Sequence, residues 1–175
     1  MGNSGLAPPV FFHTNHTPHV FSFLKQPLKT TSQKTIMHFT DQIRALTQNY
    51  QGKFQFEIQH TPDIFQLLND LTLSSEIPIR FQIKLYAAMG YFVAPYDIYP
   101  EETFGAIGYI DDLLFALVVI KEISQEVGLE PLYDNWPGEI ENLQMLLDNS
   151  IENIKESHPK FYRQIQQILS YQQPL

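Results

Sequence analysis

Apolar residues recur at intervals of three and four along most of this chain, and that rhythm predicts helices. Ile36, Phe39, Ile43, Leu46 and Tyr50 mark an amphipathic helix that Gly52 closes. Phe54-Gln55-Phe56-Glu57-Ile58 alternates like a strand, but no second alternating run exists to pair with it, so it is read as an extended connector or the lead into the next helix. Thr61-Pro62-Asp63 then has the chemistry of a helix start. Thr61 is the expected N-cap, Pro62 sits where a missing N–H costs nothing, and Asp63 suits the dipole. Ile64, Leu67, Leu68 and Leu71 form the stripe behind it.

After the break at Ser74-Ser75-Glu76 a helix is expected from Ile79 to Val93, with Arg80, Gln82 and Lys84 available to solvent and all sides apolar or small from Leu85 onward. Burial all round is the consequence. Ala94-Pro95 should end it, because the residue before proline avoids helical backbone. An acidic, proline-stiffened loop follows, and a second apolar helix runs from about Ala106 or Tyr109 to Ile123, the expected centre of a bundle. Gly128 to Pro131 closes it, and Asn135-Trp136-Pro137-Gly138 turns around the only tryptophan. Ile140, Leu143, Leu146, Leu147, Ile151 and Ile154 keep helical spacing, and Ser157-His158-Pro159 opens a last short helix with Phe161, Ile165, Ile168 and Leu169.

Residues 1–34 show no such rhythm. Four prolines and many Ser, Thr and Asn make them an irregular arm, which Phe11, Phe12, Phe21 and Phe23 could strap to the body. His13, His16 and His19 recur every third residue and would share a face in a polyproline conformation, a weak basis for a metal site without a carboxylate beside them. Residues 35–175 read as one helical domain, in a length of 175 that suits a single core.

Charge changes the picture of partners. The net charge is −8, and it is uneven: residues 95–152 hold thirteen Asp and Glu against one lysine. Such a face repels nucleic acid and suits a cation or a basic protein partner, or serves only to keep the surface solvated. The chain lacks cysteine, so disulfides, thiolate zinc sites and thiol nucleophiles are excluded. No charged n-region and apolar core of a signal peptide precede the body, so the expected location is cytoplasmic, and the Asn15-His16-Thr17 sequon carries little weight there. Leu113 to Ile120 is too short to span a bilayer, and extending it brings in Asp111 and Asp112, so a buried core helix is favoured over a membrane-associated one.

The candidate chemistry gathers between Ala87 and Asp112. Asp97, Asp111 and Asp112 could converge on a hard divalent ion such as Mg²⁺, Ca²⁺ or Mn²⁺, with Glu101 and Glu102 lending oxygens. The competing expectation is structural: Asp97 bonding its own loop, and Asp111 or Asp112 satisfying a helix start or binding Arg80 or Lys84. Tyr86, Tyr91, Tyr96, Tyr99 and Tyr109 crowd the same region and offer hydroxyls to those carboxylates. His38, His60 and His158 are scattered, and no phosphate loop, zinc helix, nucleophile elbow or Ser/His/Asp order occurs, so no catalytic or cofactor-binding residue is assigned.

Tyr91, Pro95, Asp97, Pro100, Gly108, Tyr109, Asp111 and Asp112 fall where the YkvA-like family, known as domain of unknown function 1232, has its motif, and the stretch Thr61 to Ile123 resembles that family. The chain departs from the commoner pattern by one extra residue between Pro100 and Gly108 and by Gly105 where many members have a second proline. The resemblance implies a small all-helical domain without established activity, alone in prokaryotes and joined to other domains elsewhere, sometimes in membrane proteins. It supplies no catalytic residue. Together these readings give an all-α bundle of five to six helices, acting as a non-enzymatic binding or regulatory module through its acidic face. The alternatives are a divalent-metal protein or metal-dependent hydrolase using Asp97, Asp111 and Asp112, and a peripheral membrane scaffold.

Overall fold

The computed structural model describes residues 28–94 and 98–170, with side chains from residue 35 onward. Its elements are α1 (Leu28–Thr47), α2 (Gln55–Gln59), α3 (Thr61–Leu73), α4 (Ile79–Phe92), α5 (Glu101–Phe104), a 3₁₀ turn (Gly105–Tyr109), α6 (Ile110–Val127), α7 (Glu130–Asn135), α8 (Ile140–Met145), a π turn (Leu146–Ser150), α9 (Ile151–Ser157) and α10 (Pro159–Ser170). Among the described residues there is no strand, so the class is all-α. Counting the continuous runs 101–127 and 140–157 as one helix each gives eight, where five to six were expected. The short α2 and α7 make up much of the difference.

α6 is the axis of the bundle. Leu113, Leu114, Phe115, Ala116, Leu117, Val119, Ile120 and Ile123 are all buried, because α3, α4, α9 and α10 pack around it. The run Glu101–Val127 is long and apolar enough to cross a membrane by length and composition, beyond what the eight apolar residues suggested, yet 67% of its apolar window is covered by the rest of the fold. α4 lies antiparallel to α6: Arg80 pairs with Glu126 and Lys84 with Glu122 at one end, while Tyr91 reaches Asp111 at the other.

Several local expectations fail for identifiable reasons. α1 begins at Leu28, inside the segment read as an arm, where a polar Lys-Thr-Thr-Ser run hides any period. Leu46 is exposed and Thr40 and Thr47 are buried in its place. Each hydroxyl satisfies itself on the carbonyl four residues back, Thr47 on Ile43 at 2.9 Å and Thr40 on Ile36 at 3.1 Å, so threonine can enter the core. Of the 54–58 run, Phe54 is a left-handed N-cap and the residues after it are helical, as α2 (Gln55–Gln59), so it is no extended connector but does lead into helix. Thr61 is not the N-cap; that position belongs to His60, whose ring Nδ1 lies 2.8 Å from the Phe56 carbonyl, and Thr61 is already the first helical residue. Leu146–Ser150 widens to a π turn, yet Leu143, Leu146, Leu147, Ile151 and Ile154 all stay buried, and of the expected stripe Ile140, the first residue of α8, is exposed.

α4 differs most from expectation. Lys84 is buried rather than solvated, with its ammonium on Glu122 and near the Phe81 ring, 5.8 Å from the centroid. Conversely Ile79, Ile83, Tyr86 and Val93 are exposed, so this helix is not covered on all sides.

Phe54 has φ 62° and ψ 31°, left-handed backbone that a bulky side chain rarely adopts. The turn aims its ring at His158, with centroids 5.8 Å apart, and ties the start of α2 to the α9–α10 junction.

Candidate functional site

The motif loop closes the α4–α6 pair. α4 ends in tightened turns, Val93 N–H donating to Gly90 and Ala94 N–H to Tyr91, and the chain re-enters helix at α5 after Pro100. Gly105 takes φ +65°, a backbone that proline's ring forbids. Gly108 is required by contact: a Cβ there would lie 2.7 Å from the Tyr99 carbonyl oxygen and 2.8 Å from the Glu101 Cα, both backbone atoms.

This close approach delivers Asp111 to the loop. Its carboxylate, fully buried, accepts the Tyr91 hydroxyl at 3.0 Å and the Ile98 amide at 2.9 Å, both on Oδ2. One oxygen that accepts two donors, from Tyr91 and Ile98, binds α4, the loop and α6 together. Asp112 is fully buried as well. Both lie in the first turn of α6, where the helix dipole favours negative charge.

Of the other expected site residues, Pro95, Tyr96 and Asp97 lie outside the described residues, as do His13, His16, His19 and the aromatic residues of the arm. Among the described residues no group of three or more His, Asp or Glu is placed to hold a metal. Glu101 is half-buried and Glu102 exposed. Arg80 and Lys84 do not reach Asp111 or Asp112; they are spent on Glu126 and Glu122 at the far end of α4. Of the tyrosines, Tyr91 bonds Asp111, Tyr86 is exposed, and Tyr109 packs on Phe92 with centroids 6.4 Å apart.

Tyr99 turns outward to a different cluster. Its ring stacks on Phe161 at 5.5 Å and meets Phe104 at 5.2 Å and His158 at 5.8 Å, edge to face. The loop is thereby docked on α10. Burial pushes the His158 pKa below its usual value; the Ile154 carbonyl opposes this and the Lys53 ammonium adds to it. Sequence reading placed His158 only as a surface or capping residue, since nothing local signals the aromatic ring around it.

Two of the clefts among the described residues bear on charge. One, of about 460 Å³, lies among α6, the π turn, α9 and α10, and mixes Lys84 and Lys121 with Glu122, Asp148 and Glu152. The other is an open groove of about 500 Å³ between the end of α3 and the end of α7, lined by Asp70, Glu76 and Asp134 with no basic residue. Glu130, Glu139 and Glu141 are exposed on α7 and α8 beyond it, and none has an ion-pair partner among the described residues.

The model of the family described as "Protein of unknown function (DUF1232)" matches residues 83–118, which span the α4–α6 pair and its loop. Uncharacterized protein ORF9 of Methanothermobacter thermautotrophicus is 31% identical over 99 residues, covering 57% of this chain and 68% of that protein. The chain belongs to the DUF1232 family. Two further relatives are partial matches: E3 ubiquitin-protein ligase RNF170 of Xenopus tropicalis is 40% identical over 58 residues, and that of Xenopus laevis 43% over 58, in each case 31% of this chain and 23% of the ligase. The shared part is thus less than a quarter of either ligase. No solved structure matches the chain.

Proposed function

We propose that this DUF1232 chain is a non-enzymatic binding module that takes a basic protein segment on its acidic face. The observation that carries the reading is the groove of Asp70, Glu76 and Asp134, three carboxylates without a lysine or arginine among its lining residues. A Lys or Arg side chain laid there gains charge-assisted hydrogen bonds without displacing an existing ion pair. By contrast Arg80, Lys84 and Lys121 already neutralise Glu126, Glu122 and Asp148 on α6 and the π turn, so the open negative potential gathers around α7. The motif carboxylate Asp111 serves the fold in this reading, holding Tyr91 and Ile98.

The test is binding of a labelled arginine-rich peptide to the full chain and to Glu76→Lys/Asp134→Lys, followed against salt. The wild type should bind with an affinity that falls as salt rises, and the double variant at least about tenfold more weakly. Equal affinities in the two proteins would overturn the proposal.

A second reading, a divalent-cation centre of Asp97, Asp111 and Asp112, is favoured by the complete burial of two successive carboxylates. Thermal melts with Mg²⁺, Ca²⁺ and Mn²⁺ test it: stabilisation of the wild type that Asp112→Asn loses would support it, and no stabilisation would remove it.

A further inference from the structure

The outward side of α4 carries Ile79, Ile83, Tyr86, Gly90 and Val93, spaced 4, 3, 4 and 3 residues apart, the interval of a helix seam made to meet another helix. The four side chains are 76%, 60%, 57% and 61% exposed. Half-buried Gln82, Ala87, Met89 and Ala94 flank them, and no ionised group lies between: Lys84 is turned inward to Glu122, and Arg80, at the margin, is held by Glu126. In a chain of net charge −8 this is a broad uncharged face, on the order of 500 Å², the size of the largest apolar patch that a monomer carries and one that often serves contact.

Gly90 sharpens the point. It lies inside a helix at negative φ, where glycine costs about 1 kcal/mol relative to alanine. A Cβ at Gly90 would meet nothing within 4 Å, so no contact among the described residues accounts for the small residue. A gap in a row of large side chains accommodates a knob from outside.

We propose that this face pairs with the same face of a second copy, two α4 helices crossing antiparallel about a twofold axis at Tyr86. The seam is complementary to its own reverse. Turned end for end about Tyr86, Ile79 meets Val93 and Ile83 meets the space over Gly90, while Tyr86 meets its symmetry mate. Parallel pairing would set Gly90 against Gly90 and leave a void, which is why the antiparallel sense is chosen. No like charges meet across the axis. Two such faces bury about 1,000 Å² in total, the lower end of a specific interface, which corresponds to a reversible dimer rather than a permanent one.

Sedimentation equilibrium of the full chain over low to high micromolar concentration should show a monomer–dimer equilibrium. Ile83→Glu should raise its dissociation constant at least about tenfold, with a melting temperature equal to the wild type's when both are measured at a concentration where the wild type is monomeric, because the site is exposed. The absence of cysteine gives a geometric test. Tyr86→Cys should oxidise to a disulfide-linked dimer much faster than Met145→Cys, which is exposed on α8, whereas Ile83→Cys and Gly90→Cys should cross-link best when mixed with each other. A wild-type monomer at every concentration, including one that instead binds neutral phospholipid vesicles through this face, would overturn the proposal, as would equal rates for Tyr86→Cys and Met145→Cys.

Discussion

The phenol of Tyr91 on α4 donates a 3.0 Å hydrogen bond to Oδ2 of Asp111 on α6, and the amide of Ile98 shares that oxygen at 2.9 Å. The two contacts differ in what their loss leaves behind. Tyr91→Phe removes the buried hydrogen bond to Asp111 and should cost about 1–1.5 kcal/mol. Asp111→Ala strands the Tyr91 hydroxyl and the Ile98 amide together and should cost about 3 kcal/mol or more. Urea unfolding monitored by circular dichroism checks both the magnitudes and their order.

Gly108→Ala presses a methyl group onto the backbone of Tyr99 and Glu101, at 2.7 and 2.8 Å, with no flexible side chain to give way. A loss of about 2–3 kcal/mol is expected from overpacking of this kind. Gly105→Ala meets no atom and strains only its φ of +65°, so about 1 kcal/mol should suffice. Paired melts of the two variants separate close packing from backbone strain in one loop.

The two ion pairs that lace α4 to α6 should differ in worth. Arg80 and Glu126 are about half exposed, and Arg80→Ala should change stability by no more than about 0.5 kcal/mol. The Lys84 side chain is only 11% exposed and covers the core with its methylene stem, so Lys84→Ala should cost about 1–2 kcal/mol through lost packing as well as lost charge. Raising the salt concentration should erode the first contribution more than the second.

His158 makes the aromatic cluster sensitive to acid. With its pKa below the usual value in the fold, chiefly through burial, the unfolded chain binds the proton more readily. Stability is then full above the ordinary histidine pKa of about 6.5 and falls as pH drops from there toward the lower folded value. Between about pH 7.5 and pH 5 the wild type should lose more melting temperature than His158→Gln measured in the same buffers. Parallel curves for the two proteins would deny His158 that role.

How much of this was legible in the sequence depends on whether the deciding contact is local. α6 was, because a helix apolar on nearly every side has only one place to go. The motif glycine and the acidic helix start were legible too, through the family pattern, whereas α5 (Glu101–Phe104) stands where a loop was expected, because Pro100 and two acids also make a good helix start. Thr47 in the core and Leu46 outside were not: periodicity counts apolar residues and misses a hydroxyl that satisfies itself on its own helix. α4 was misread because an all-apolar pattern cannot say which face a neighbour covers. One signal was overlooked. Arg80 and Lys84, four apart, mirror Glu122 and Glu126, four apart in reverse order of sign partner, which is the signature of an antiparallel helix pair. The groove of Asp70, Glu76 and Asp134 comes from residues far apart in the chain, and no pattern along it could have joined them.

The α4–α6 pair is held by contacts within a single hairpin, yet it cannot stand without help. Phe115, Leu117 and Val119 are sheltered by helices that precede and follow that hairpin, from α3 on one side to α9 and α10 on the other. A fragment cut down to this hairpin would therefore lay those side chains bare, so the clasp of Tyr91 and Asp111 sets the geometry of the pair while the surrounding helices supply its shelter.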